Sequence, residues 1–382
     1  MSEGRRGSRE SVVLIAPSGE PGKRVRLAKV IRIMKDNYGH EVAYWGWRRL
    51  PDETLGAGMH GVAESRALLA GAGHRNALAR LYYLAWMIRV FVALVVRAPR
   101  RVYCLGLETA LPAWAASRLR SRISYVFDDA DRLVMLWSLP ALVEKLIGFL
   151  ERRVSAVSVA HIVPTLERYD YRTNKLHEIG NTPEREQVEE ARRLAGARRD
   201  DRLQVYVNGW LNNSRGLALI DGAAERLDRE GEQKVVFNVA VGRVTGPEKG
   251  FLSRGNVNHL GSLTHTQSLA EYLANDVVLT FYDPAVRVNR YALPNKWGDA
   301  VAMGTPIILN EGIRTARVLV ASGAAFVVPF DDPVALATLL RTLHSDPDRL
   351  ASARAAIAGM ADAYVPFDEA IRPVMASFFS GD

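Results

Sequence analysis

The chain is predicted to fold as α/β, in two doubly wound domains of similar size with a closing helix. Three observations carry that prediction. Short apolar runs alternate with amphipathic stretches long enough for crossover helices throughout both halves. A turn-rich break, Gly180-Asn181-Thr182-Pro183, interrupts the alternation, which then starts again. A length of 382 residues exceeds one ordinary core and suits two.

Residues 11–16 read as a buried strand. A loop with Gly19, Pro21 and Gly22 leads to an amphipathic helix over 24–38, which Gly39-His40 ends, and 41–45 is the next strand. Residues 77–96 form a long apolar helix. After it come strand 101–105, helix 110–120, strand 123–127, helix 139–153 and strand 156–163. Strands joined by helices of this length imply right-handed crossovers and a parallel sheet.

A charged helix over 184–194 opens the second half. Strand 203–208, helix 215–229 and strand 234–241 follow, the last ending at Gly242. Then come strand 257–260, helix 268–273 and strand 277–281. The segment 291–310 adds a helix and a buried strand at 307–309; strand 325–329, helix 333–345 and helix 367–379 complete the chain. The domains are placed at 1–182 and 183–365, with 366–382 as the closing helix.

Hydrophobic content of 48% with 24% charged residues is that of a globular chain. The single cysteine, Cys104, lies in an apolar run, so a buried thiol is expected and a disulfide framework is excluded. The first ten residues are polar and read as no secretory signal, which predicts a cytoplasmic location. Net charge is +8. That sign suits an anionic nucleotide or an anionic membrane surface. No nucleic-acid motif accompanies it, so no nucleic-acid partner is expected. The helix 77–96 approaches the length of a membrane span, but Arg89 near its centre makes spanning costly. A core helix or an interfacial one is expected.

The segment YALPNKWGDAVAMGTPIILN, 291–310, carries the most chemistry. A helix opening at Pro294-Asn295-Lys296 offers free N–H groups and an ammonium to phosphate oxygens. Asp299, one turn on, has the acceptors that ribose hydroxyls require. A plain surface helix followed by a core strand would share this punctuation.

The segment resembles the donor-binding signature of glycosyltransferases of the GT-B fold, roughly P-x-K-x-x-(E/D)-x-x-A-x-G-x-P. GLETALPAWAASRLRSRISYVFDDAD, 106–131, is similar to the acidic region of family-4-like members, and GNTPERE, 180–186, to their linker. LTHTQSLAEYLANDVVLTFY, 263–282, looks like the matching stretch of the bacterial xanthan glucuronosyltransferases. The resemblance implies two Rossmann-like domains, acceptor-binding then donor-binding. It also implies a last helix crossing back to the first domain and an active site in the cleft between them.

Asp128, Asp129 and Asp131 follow the strand 123–127, and a carboxylate desolvated beside another is suited to act as general base. The position of the xanthan-enzyme aspartate falls on Asp131, with Asp128 as the alternative. Asp131 is equally suited to cap the next helix, and Asp129-Ala130-Asp131 has the form of a metal-binding D-x-D. No metal and no separate cofactor are expected. Lys296 and Arg215 are the candidates to neutralise a departing diphosphate. Family members carry a lysine about five residues beyond the latter, where this chain has Ile220.

Gly209 and Gly242, at strand ends, would let backbone approach the nucleotide, or serve plain turns; Arg243 is either a phosphate contact or a solvated charge. Asp299 replaces the more usual glutamate, and Tyr291 stands where retaining members have an acid. Asn289 or Arg287 would read the sugar, Arg287 suiting a uronic acid. His40, His161 and His265 show no metal spacing, and the latter two are read as structural. The expected function is transfer of a sugar from a nucleotide-diphosphate donor, UDP first, to a lipid-linked or oligosaccharide acceptor, with peripheral contact to an anionic membrane. A nucleotide-sugar epimerase and a non-catalytic nucleotide-sugar binder are the alternatives.

Overall fold

The structure is a computed structural model, which describes residues 11–71, 79–136, 139–197, 199–231, 234–242, 244 and 246–380. Arg243 and the first two residues of the expected helix 77–96 lie outside them. The chain divides into two compact units, one of residues 1–179 and 370–382, the other of residues 180–369.

In the first unit β1 (Val12–Ala16), α1 (Val25–Asp36), β2 (Val42–Arg48), β3 (Val62–Ala70) and α2 (Ala79–Arg97) come first. Then come β4 (Arg101–Leu105), α3 (Leu107–Leu119), β5 (Ser124–Asp128), α4 (Leu133–Leu136), α5 (Ala141–Val157), β6 (His161–Val163) and β7 (Leu176–Glu178). The seven strands are all parallel, in the order β3-β2-β1-β4-β5-β6-β7. β1 and β4 are buried along their whole length, which is why their sequences are apolar but for the leading Arg101 of β4. One face of the sheet is covered by α2, α3 and α5, whose inner residues Trp86, Val90, Ala113 and Val154 share a core with Trp45, Trp47 and Phe127. Trp47 stacks on Trp86 at 6.0 Å, fixing α2 to β2.

In the second unit α6 (Arg185–Leu194), β8 (Leu203–Asn208), α7 (Leu217–Arg229), β9 (Val235–Ala240), α8 (Lys249–Leu252), β10 (Val257–His259) and α9 (His265–Ala274) lead. They are followed by β11 (Val277–Thr280), α10 (Asn295–Met303), β12 (Ile307–Asn310), α11 (Arg317–Ala321), β13 (Ala325–Val328), α12 (Pro333–Ser345) and α13 (Pro347–Ala358). The six parallel strands run β10-β9-β8-β11-β12-β13. One core joins the sheet to α7 and α12, the other to α9 and α10. The expected doubly wound α/β plan is therefore present in both units. The last helix, α14 (Phe367–Phe379), starts in the second unit, and its residues from Ala370 on belong to the first. There Phe379 stacks on His40 at 4.4 Å, and Arg101 donates from Nε to the Phe378 carbonyl at 3.0 Å.

Three readings of the sequence need correction. The strand expected over 156–163 is shorter, because α5 continues through the apolar pair Ala156-Val157 and the strand starts at His161. β3, β7 and α13, and the short helices α4, α8 and α11, have no counterpart among the expected elements. β3 is an edge strand whose Glu64 and Arg66 break the apolar run. Arg215 does not start a helix: Gly216, at φ +78°, closes a 3-10 turn over Asn213–Arg215, and α7 begins after it.

Trp297 fixes α10 to the sheet: it is fully buried, and its indole N–H donates to Thr280 Oγ1 at 2.8 Å. Trp297→Ala is expected to destabilise the second unit by about 3–5 kcal/mol in urea unfolding. Thr280→Val, which removes the hydrogen bond and keeps the volume, is expected to lose about 1–2 kcal/mol.

Candidate nucleotide site

The second sheet changes winding direction between β8 and β11. Helices leave on opposite faces at such a point, and in open α/β sheets the crevice at the carboxyl ends of the two strands is where ligands commonly bind. β8 runs into Gly209, which turns the chain at φ +78°. A Cβ at this glycine would stand 3.5 Å from Lys296 Cε and 4.0 Å from Nζ, so the lysine lies along bare backbone.

Lys296 is the second residue of α10, behind Pro294 as N-cap and Asn295, and no side chain caps that helix start. The first N–H groups are thus left for a ligand. Burial, and then the neighbouring Arg215, lower the Lys296 ammonium to about 8, while Asp299 pulls the other way. Arg215 lies over the ring of Tyr282, just beyond β11, at 4.0 Å from its centroid. Its Nη1 is buried without a hydrogen-bond partner. Two neighbouring basic side chains, one with an unsatisfied buried donor, have the chemistry to receive an anion.

Asp299 is buried in the next turn of α10. Its Oδ1 lies 3.3 Å from Nε2 of His265, the first residue of α9, which the Thr264–Gln267 capping box sets in place. Nδ1 of His265 is buried without a partner. The sequence reading passed over His265 as a site residue. Its position directly behind a capping-box threonine, at a helix start facing the same crevice, is the signal that was available.

The remaining candidates stand in other settings. Asn289 is buried and donates from Nδ2 to the Asp283 carbonyl at 3.0 Å, which ties its own loop. The Tyr291 hydroxyl accepts from Arg314 Nη1 at 2.8 Å. Gly242 follows β9, and a Cβ there would stand 2.9 Å from Ser262 Oγ, so the glycine serves close packing of two chain segments. The site brings together Gly209, Arg215, Asn295, Lys296 and Asp299, and adds His265 and Tyr282.

In the first unit the three aspartates after β5 part company. Asp128 is fully buried, with Arg26 Nε 2.9 Å from both carboxylate oxygens and the Tyr103 hydroxyl donating at 2.6 Å. It ties α1 to β5 and has no exposure through which to meet a substrate. Asp129 is also fully buried and accepts from the Tyr169 hydroxyl at 2.7 Å; burial and nearby Glu151 push its carboxyl well up. Asp131 is 58% exposed, with Arg168 at 3.8 Å.

A fourth carboxylate, Glu108, lies in the first turn of α3 at the end of β4, where the first sheet changes winding direction. Burial raises it to about 7; Asp131 adds to the rise, and its own backbone N–H, Arg24 and Arg49 oppose it. Its Oε2 lies 2.5 Å from where a Cβ of Gly106 would be, so only glycine leaves room for that carboxylate. His161 is buried between Phe127 and Ser155, and burial lowers it to about 3. Among the described residues no group of three His, Cys, Asp or Glu is placed to hold a metal ion.

No protein-family model matches this chain. No curated protein matches it in sequence. Solved structures do match in fold. HepE of Anabaena in complex with UDP aligns with a TM-score of 0.65 at 13% identity, over 97% of this chain and 100% of that one. Sucrose-phosphate synthase of Thermosynechococcus elongatus gives 0.65 at 13% identity, over 98% and 100%. A protein assigned as UDP-N-acetylglucosamine 2-epimerase of Listeria monocytogenes gives 0.62 at 11% identity, over 98% and 97%. The chain therefore has the GT-B fold.

Two outcomes follow from this geometry. Pyrophosphate binding is expected to weaken as pH rises from 7 to 9.5, because Lys296 is cationic below its value of about 8 and neutral above it. Calorimetric titration of Lys296→Met should show weaker binding that no longer follows this pH change. Asp128→Ala, which strands Arg26, is expected to cost about 3–5 kcal/mol in denaturant unfolding. Asp131→Ala, at an exposed position, should stay within about 0.5 kcal/mol of the parent.

Proposed function

We propose that this chain is a glycosyltransferase that moves a sugar from a uridine-diphosphate donor to a lipid-linked saccharide acceptor. The observation that carries the reading is the pair Lys296 and Arg215 at the switch point of the second sheet, the latter with an orphaned buried donor. The UDP held by HepE, a protein of the same fold, supports the choice of nucleotide.

In this reading Lys296, Arg215 and the N–H groups at Asn295 and Lys296 hold the diphosphate, with the Gly209 backbone against it. Asp299 and His265 receive the ribose hydroxyls. Asn289, Tyr291 and Arg287, on the loop leading to α10, border the sugar, and Gly242 shapes the nucleotide side. Asp131 is the base, with Glu108 as a neighbouring carboxylate; Asp128 keeps its place in the interior. The acceptor hydroxyl gives its proton to the carboxylate as its oxygen bonds to the sugar's anomeric carbon. The bond from that carbon to the diphosphate oxygen breaks, and UDP leaves with its charge neutralised by fixed cations. The reading calls for no separate cofactor.

The fold shared with the Listeria epimerase supports a second reading, interconversion of a UDP-sugar with its epimer. That reaction needs no acceptor and releases no UDP, so acceptor-dependent UDP release separates the two. A pure binder would give neither.

The test is a thermal-shift and calorimetric panel of nucleotide sugars. UDP species are expected to raise the melting temperature, and Lys296→Ala to weaken UDP binding about 10–100-fold. Asp131→Asn should cut turnover by about 10²–10⁴ while leaving the UDP dissociation constant within about twofold. Silence with every uridine, guanosine and thymidine diphosphate would overturn the donor reading.

A further inference from the structure

The α2–α3–α5 layer of the first unit has an apolar outer side as well as an apolar inner one. On α2, Leu81, Leu84, Ile88, Val92 and Val96 recur at intervals of three and four, and each is 51–79% exposed. At 1.5 Å per residue this stripe runs about 22 Å along one helix face. Two helices away in the same layer, Leu142, Leu146 and Phe149 of α5 repeat the pattern, again more than half exposed. Solvated helices ordinarily turn charged residues outward, so two parallel apolar stripes on one layer mark an interaction surface.

The charges beside the α2 stripe point to one kind of occupant. α2 carries three arginines and no acid. A groove of about 320 Å³ runs between β3 and α2, lined on its apolar side by Ile88, Val92 and Val96 and on its polar side by Arg66, Arg89 and Arg97. One Nη of Arg89 is spent on the Leu68 carbonyl, and Arg97 is paired with Glu64. One acid against three arginines leaves the groove cationic. On α5, Arg153 lies over the Phe149 ring at 5.1 Å, while Arg152 is paired with Asp170 and Lys145 follows Glu144 in the sequence. Aliphatic side chains with arginines at their flanks match the boundary between acyl chains and phosphate headgroups. No helix among the described residues is long and apolar enough to cross a membrane, so the match is to lying on a bilayer.

We propose that the outer side of the α2–α3–α5 layer docks on an anionic lipid bilayer, with the α2 stripe entering the acyl boundary and Arg66 and Arg89 meeting lipid phosphates. Docking rests on the first unit and is independent of the transfer reaction, so its failure would leave the nucleotide-site reading standing.

The experiment is co-sedimentation of the full chain with phosphatidylcholine vesicles, with and without phosphatidylglycerol. Binding to the anionic vesicles is expected to exceed binding to the neutral ones at least about tenfold and to fall with salt. Leu84→Glu with Ile88→Glu, at exposed positions, should abolish it, with circular dichroism and UDP binding unchanged. Arg66→Gln with Arg89→Gln should weaken it about fivefold per arginine and remove the lipid preference. Equal recovery with both vesicle types, or binding indifferent to the glutamates, would overturn the proposal. So would a stable dimer that Ile88→Glu dissociates, since the stripe would then belong to a second copy of the chain.

Discussion

Burial and the neighbouring Arg215 together raise the cost of charging Lys296, and Asp299 offsets part of that cost. Most of the second unit's local architecture follows from that constraint. Gly209, at φ +78°, turns the chain beside the lysine stem. Tyr282 gives Arg215 an aromatic face, which holds a guanidinium without neutralising it. Asp299 balances the lysine from the side while engaged with His265. Trp297 is locked to Thr280, so the helix that presents the lysine cannot slide along the sheet. On the proposed reading this is a preorganised anion site, in which the cost of placing basic groups near one another was met on folding.

The first unit treats its carboxylates in the opposite way. Asp128 is withdrawn into the interior and satisfied there by Arg26 and Tyr103; Asp129 is buried as well, its Oδ2 taken by Tyr169 and its Oδ1 left without a partner. Asp131 and Glu108 remain within electrostatic reach of one another nearer the surface, and the half-buried Glu108 is the one whose proton affinity is brought near neutrality. Sequence proximity had made the three aspartates look alike. Burial separates them into two that hold the fold and one that is open to solvent.

What the sequence made legible is what local rules govern. β1, β4, β8 and β12 read as strands because both their faces are buried, and their largely apolar sequences announce that. The start and end of α10 were legible because Pro294 and Gly304 punctuate it, the glycine at φ +72°. β3 was not, since an edge strand with Glu64 and Arg66 has no buried run to show. Nor was the interior role of Asp128, whose partner Arg26 stands 102 positions away. The carboxylate at Glu108 was hidden inside an apolar helix start, where its meaning depends on Asp131, brought close by the β4–β5 pairing. The apolar character of 77–96 was plain, but that its stripe has an outward half required the packing of Trp86 and Val90 on the inner one.

The account stands on a phosphate-bearing ligand sitting against Lys296, and the titration of that one ammonium reads it directly. Lysine side chains carrying isotope-labelled methyl groups report their own protonation in NMR, and Lys296→Arg assigns the signal. In the free protein the signal should titrate near 8, and saturating UDP should move it up by at least about one unit, since an adjacent dianion favours the charged form. A value that UDP leaves unchanged would contradict the account.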